Sequence, residues 1–293
     1  MVINCNIAAP RHGPWPLDRY DLYRYRVFAD FMTDSLLVER SGALLTLRLH
    51  RPALHNAFDD GLIAQLTGEL AQAGGDPSVR AVVLAGEGAS FSAGADLHWM
   101  RGMAAASESE NRQDALALAR LMRTLDELPK PTLARVHGAA FGGGVGLVAC
   151  CDIAIAADSA RFGLTESRLG LLPAVISPYV IAAIGPRQAR RWFATGEHFD
   201  AATALRIGLV HAVVAGDQLD AAVEQQLDLL LAAGPVATAS AKRLVRDVLG
   251  NADADARDQA NAELIAHLRV SAEGQEGLGA FLDKRPPEWA ART

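Results

Sequence analysis

The sequence predicts an α/β protein: a parallel sheet with helical crossovers, followed by a mostly helical C-terminal part. Three observations predict it. Short apolar runs alternate with stretches of helical spacing between residues 36 and 157. Two glycine-containing segments each follow a strand-like run, and beyond Pro178 the spacing is almost entirely helical. In chain order, residues 36–40 and 43–50 flank Ser41-Gly42 and read as a hairpin. Residues 59–73 carry helical apolar spacing, and Arg-Ala-Val-Val-Leu-Ala at 80–85 is a buried-strand run. Residues 107–128 form a long helix that Pro129-Lys130-Pro131 stops. Strands at 132–136 and 152–157 enclose the glycine-rich stretch 142–146 and one short helix. Further helices are expected at 186–194, 201–207, 217–233, 236–249, 253–269 and 272–282, with 209–214 a short exception.

The first 31 residues differ from the rest. They hold Trp15, Tyr20, Tyr23, Tyr25, Phe28 and Phe31, six of the chain's 17 aromatics, with Pro10, Pro14 and Pro16. This reads either as an aromatic arm that docks on a neighbour or as an upstream stretch translated from an early start codon. The expected organisation is an irregular extension over 1–31, a core over 32–200 and a helical region over 201–293.

Composition excludes several classes. With 28 Lys+Arg against 34 Asp+Glu the net charge is −6, which argues against a nucleic-acid partner held by clustered cations. Hydrophobic residues at 50% and charged residues at 21% are globular and leave enough apolar surface for a large core. No apolar run approaches the roughly 18 residues that suggest a membrane span. Cys5, Cys150 and Cys151 form no Cys-x-x-Cys, and no two histidines stand four apart, so no metal site is expected. Reduced thiols in a cytoplasmic protein are the expectation.

Chemistry concentrates in three segments. Phe91-Ser92-Ala93-Gly94-Ala95-Asp96-Leu97 and Gly138-Ala139-Ala140-Phe141-Gly142-Gly143-Gly144 each follow a strand. Glycines let backbone N–H groups approach a ligand, and at a helix start those groups have no intrahelical acceptor. Two such loops face to face would hold one oxyanion between two amides; each alone is also an ordinary tight turn. Glu166, in Leu164-Thr165-Glu166-Ser167-Arg168-Leu169-Gly170, has apolar flanks that would raise its pKa and suit it to acid–base work. Gly144-x-Gly146-x-x-Ala149 matches a dinucleotide fingerprint and raises an NAD-binding Rossmann oxidoreductase as a rival. The helix after it has room for only about eight residues, shorter than the usual crossover.

Arg51-Pro52…Asn56-Ala57, Phe91–Leu97, Gly138–Gly144, 151–157 and 162–170 together resemble the enoyl-CoA hydratase/isomerase (crotonase) superfamily, from about Leu36 to Trp289. The resemblance implies a crotonase-like spiral of ββα units and a helical C-terminal trimerisation region. It further implies a homotrimer or homohexamer and a coenzyme A thioester substrate, with no separate cofactor. It places the oxyanion hole at the N–H groups of Ala95 and Gly143 and a catalytic carboxylate at Glu166. The family's other carboxylate position falls on Gly146, so hydration and double-bond isomerisation both stay open, and restoring the carboxylate by Gly146→Glu is expected to raise water addition if the missing carboxylate limits it. Ala174 stands where other members carry a nucleophilic aspartate. The strings 140–149 and 169–179 are similar to the methylglutaconyl-CoA hydratase branch, which implies a branched acyl group. Ala93, Asp96, Leu97, Phe281 and Lys284 are the expected CoA contacts, the last two reaching a neighbouring subunit or else forming a solvated cluster. The acyl pocket is expected at His98, Trp99, Met103, Ala174, Val175 and Ser177.

Overall fold

Residues 35–290 are described by the computed structural model; the extension over 1–31 lies outside them. Strands β1 (Leu36–Ser41) and β2 (Leu44–Leu49) form the expected antiparallel hairpin. Leu45, Leu47 and Leu49 alternate inward along β2, as a strand with one covered face requires. Asp59 caps α1 (Asp60–Gly75) by accepting from the Leu62 N–H, and the chain returns as β3 (Ala81–Gly86), parallel to β2 and buried throughout. Helix α2 (Leu97–Ala105) gives little signal in the apolar spacing because it buries no residue fully and turns only Trp99, Met100 and Met103 partly inward. Helix α3 (Glu108–Asp126) starts at a capping box in which Ser107 and Glu110 satisfy each other's backbone N–H.

Strand β4 (Thr132–Val136) then pairs with β3, and β5 (Ala139–Phe141) leaves the main sheet. After α4 (Gly143–Cys150), β6 (Ile153–Ala157) rejoins the main sheet beside β4. A second, three-stranded sheet is built from β5, β7 (Arg161–Gly163) and β8 (His198–Asp200). Its strands have three residues each, too few for a readable alternation.

Helix α5 (Ser177–Thr195) begins nine residues before the expected 186, and the reason is local. Gly185 sits at φ 75°, a break at which the next residue, Pro186, starts the second half of the helix. After α6 (Ala201–Ile207), β9 (Ala212–Val214) adds to β6 as the last strand of the main sheet, in order β1-β2-β3-β4-β6-β9. The region 201–293 thus contributes a sheet strand besides its helices. One face of the sheet packs Leu47, Leu84 and Ala134 against α1, α3, α4 and α5; on the other, Leu133 and Ile155 meet Leu219, Val223 and Leu227 of α7 (Leu219–Ala232).

The last three helices are α8 (Pro235–Gly250), α9 (Ala254–Val270) and α10 (Ala272–Leu282). Among them only Ala280 is buried. Polar contacts tie them down instead. Lys242 Nζ on α8 reaches Asp152 Oδ2 at 2.9 Å, and the same oxygen accepts from the Thr132 N–H and hydroxyl. The Glu273 carboxylate accepts from the Val236 and Ala237 N–H groups at the start of α8.

Candidate active site

The two glycine loops meet because the loop after β3 runs alongside β5. The Ser92 N–H donates to Ala139 O at 3.0 Å, and the Phe141 N–H donates to Ser92 O at 2.9 Å. Gly94 has φ 88°, and a Cβ there would lie 2.9 Å from Phe141 O, so both conformation and space require glycine. Phe58 brackets the next residue: its N–H donates to Gly94 O and its carbonyl accepts from the Asp96 N–H. Ala95 lies between these bonds, and among the described residues its N–H has no acceptor. Gly143 opens α4, and its N–H likewise has none. Two unengaged donors therefore sit on two loops bonded to each other.

Glu166 comes to the same place from β7. It starts a short 3₁₀ turn closed by Gly170 at φ 74°. A Cβ on Gly142 would lie 3.2 Å from Glu166 Oε1, which puts the carboxylate against the residue preceding Gly143. Its Oε2 is buried without a hydrogen-bond partner, and burial pushes its pKa above the ordinary glutamate value. Such a carboxyl suits proton transfer near neutral pH.

Asp96 is placed differently. Oδ1 accepts from the His98 and Trp99 N–H groups and caps α2, while Oδ2 accepts from Arg51 at 3.0 Å. Burial alone would raise its pKa; the Trp99 and His98 amides and Arg51 outweigh that and hold it below the usual aspartate value. Both oxygens are therefore occupied in organising the loop. Ala93 is also tied, donating to His55 O at 2.8 Å, and Leu97 projects into solvent.

The expected pocket residues divide. Trp99 and Val175 pack against the main core, Met103 is half-buried, and His98 and Ala174 are exposed. The Ser177 hydroxyl donates to Ala174 O at 2.8 Å. Phe281 is 80% exposed on α10, and Lys284 lies one turn further on at φ 54°.

Gly146 corrects one expectation. A Cβ there would overlap Ile176 Cγ2, lie 2.9 Å from Ile176 Cβ and 3.2 Å from Met122 Cε. Both neighbours are core residues, so the position to which the resemblance assigns a second carboxylate is packed against hydrocarbon. Gly146→Glu alone would have to displace Ile176 before its side chain could be accommodated. The same geometry gives both glycines of the dinucleotide fingerprint a packing role. Gly146 is used for contact with Ile176, and Gly144 for contact with Ser92 O, 2.7 Å from where its Cβ would stand.

In the sequence, Arg51 and Asn56 stand out only as motif members. Arg51 joins Asp59, Asp96 and Ala57 O. Asn56 is fully buried and accepts from the Arg51 N–H while donating to Glu87 O and Ser90 O. An Arg followed by Asp residues carries no signal that these charges converge. Phe58 and Ile176 escape sequence reasoning because apolar residues beside glycines look like ordinary core.

A pair of free amides beside a buried carboxyl can hold an oxyanion and move a proton next to it. The chain belongs to the enoyl-CoA hydratase/isomerase family, whose model matches residues 39–292. It is 33% identical over 260 residues to the 2,3-dehydroadipyl-CoA hydratase of Escherichia coli K12, covering 88% of this chain and 99% of that one. A solved enoyl-CoA hydratase from Shewanella pealeana is 43% identical with a TM-score of 0.85, covering 90% of this chain and 98% of its own. Pseudomonas aeruginosa AtuE is 39% identical with a TM-score of 0.85 and is covered entirely by 88% of this chain. These neighbours carry the crotonase fold that the sequence motifs resemble.

Proposed function

We propose that this enzyme adds water across the 2,3 double bond of an enoyl-CoA thioester, with Glu166 as the one carboxylate acting on the substrate. The observation that carries it is the desolvated Glu166 carboxyl, its Oε2 buried without a partner, against the residue preceding the free Gly143 amide. The hydratases among its relatives support the reaction class. The Ala95 and Gly143 N–H groups receive the thioester oxygen. The Glu166 carboxylate takes a proton from water as the water oxygen bonds to C3, and the double-bond electrons move to form an enolate on the thioester. The two amides stabilise that charge, each donor worth about 3–4 kcal/mol in a preorganised site. Glu166 then returns the proton to C2. One water molecule thus supplies both groups and the carboxylate is regenerated.

A second reading has one specific observation in its favour, the hydrocarbon around Gly146. Without a second carboxylate, Glu166 would remove a proton from C2 of a 3-enoyl-CoA and return it to C4. Incubation with 2-enoyl- and 3-enoyl-CoA esters in ¹⁸O-labelled water separates the two. Label in a 3-hydroxyacyl product supports hydration; unlabelled double-bond migration supports isomerisation and overturns the first reading.

The same proposal extends to the acyl group and the assembly. A branched, methylglutaconyl-like acyl group is supported by the likeness of 140–149 and 169–179, with the small side chains of Ala174 and Ser177 beside the pocket. Ala93, Asp96 and Leu97 would line the CoA path, with no further cofactor. A homotrimer or homohexamer is supported by Leu249, Val270, Phe281 and Leu282, each at least 75% exposed on helices that bury almost nothing in one chain. Phe281 and Lys284 would then meet a neighbour's CoA. A monomeric mass by light scattering at micromolar concentration would refute the assembly. A cytoplasmic location is supported by the buried free thiols of Cys150 and Cys151, the latter raised by burial to about 12. No described helix is long and apolar enough to cross a membrane.

A further inference from the structure

We propose that Phe58 is a positioning residue that sets the distance between the two oxyanion donors; this rests on the reading of the Ala95 and Gly143 amides as the oxyanion hole. Phe58 touches both halves of that hole with different parts of itself. Its main chain holds the first half: the Phe58 N–H donates to Gly94 O at 2.6 Å and its carbonyl accepts from the Asp96 N–H at 2.8 Å, so Ala95 is fixed on either side. Its ring holds the second half. A Cβ on Gly143 would stand 2.5 Å from Phe58 Cε2 and 2.9 Å from Cδ2, so the ring edge lies directly on the Gly143 Cα. One residue, 1% exposed, therefore spans from one donor to the other.

The span is rigid because its ends are anchored. Arg51 donates to Ala57 O at 2.6 Å and pairs with Asp59 and Asp96 at 3.0 Å each, gripping the residues on both sides of Phe58 and the one after Ala95. Asn56 fixes the same segment to the β3 end through Glu87 O and Ser90 O. A phenyl ring is flat and stiff, so it transmits the position of residues 57–59 to Gly143 without a rotamer change. An oxyanion hole depends on donor placement of this kind, because a misplacement of about 1 Å can cost on the order of 10²-fold in rate.

The test uses Phe58→Leu, which keeps apolar bulk and loses the flat edge, and Gly143→Ala, which presses a methyl into the ring without emptying the core. The readouts are kcat, CoA affinity, and the infrared carbonyl stretch of bound butyryl-CoA labelled with ¹³C at the thioester carbon. Both variants should lower kcat about 10- to 100-fold, leave CoA affinity within about 2-fold, and shrink the red-shift of the carbonyl stretch that the unaltered enzyme produces. Combining them should cost less than the product of the single effects, since Phe58→Leu leaves space for the methyl that Gly143→Ala adds. Full kcat and an undiminished carbonyl shift in either folded variant would overturn the proposal and leave Phe58 as core packing. No carbonyl shift in the unaltered enzyme would instead overturn the oxyanion-hole reading on which it stands.

Discussion

Gly146→Ala is the most direct perturbation of the site's unusual feature. The added methyl would overlap Ile176 Cγ2 and stand 2.9 Å from Ile176 Cβ and 3.2 Å from Met122 Cε. Carbon atoms pack at about 3.5–4.0 Å, so Ile176 must retreat by about 1 Å or more. It has little freedom to do so, being 3% exposed, with Met122 at 0%. Overpacking of this kind costs about 1–3 kcal/mol, while replacing a helical glycine by alanine returns up to about 1 kcal/mol. The clash should win by about 1–2 kcal/mol. For a domain of this size each kcal/mol moves the melting temperature by about 2–4 °C, so a drop of roughly 2–8 °C is expected. Ile176→Ala alone should cost about 2–5 kcal/mol through the cavity it leaves. Adding Gly146→Ala to that background should restore stability by up to about 1 kcal/mol, because the methyl now fills space. Urea unfolding of the four proteins measures the coupling. A Gly146→Ala protein as stable as the parent, or costs that simply add, would refute the packing argument.

Three further outcomes follow from the same geometry. Because burial raises the Glu166 carboxyl, its ionisation disfavours the folded state: that stability is fully present below the ordinary glutamate pKa and is lost as pH rises through the raised one. Glu166→Gln should therefore flatten the stability profile above pH 4.5, abolish the acid limb of kcat, and lower kcat about 10²–10⁴-fold with CoA binding intact; full activity would refute the base assignment. Arg51→Met leaves Asp59 and the buried Asp96 without their cation and should destabilise by about 2–4 kcal/mol in urea unfolding, with no loss contradicting the network. Lys242→Met removes the cation joining α8 to Asp152, and amide exchange should quicken in α8 ahead of the sheet; unchanged exchange would show that the contact does not hold that helix.

The parts legible in the sequence are those whose pattern is local. The β2 alternation, the fully apolar β3 and the capping box at Ser107 each announce their element within a few residues. Helix α2 announces little, since it is held by the Asp96 cap, by Asn111, which donates to Met103 O, and by Trp99 alone packing on the main core. The 3₁₀ turn at Glu166 and the three-residue strands are fixed by their partners, and no run of three residues can encode a partner. Long-range charge pairing is equally silent: Arg51 and Asp96 are 45 positions apart.

Glycines show the limit most clearly, because the same letter has three physical meanings in this site. Gly94 is required by a left-handed φ as well as by the Phe141 carbonyl. Gly143 has no such φ and is required by the Phe58 ring, whose atoms are the nearest to where its Cβ would stand. Gly146 is required by Ile176, a residue that lies 30 positions away and reads as an ordinary core isoleucine. The family resemblance implies a second carboxylate position at Gly146, but the sequence does not say whether the space beside it is vacant or occupied. Only the occupied case ties the loss to a second residue: a return of the carboxylate needs Ile176 reduced as well. On the mechanism proposed above, Gly146 and Ile176 are thus one feature, and Glu166 works alone because the two fit together.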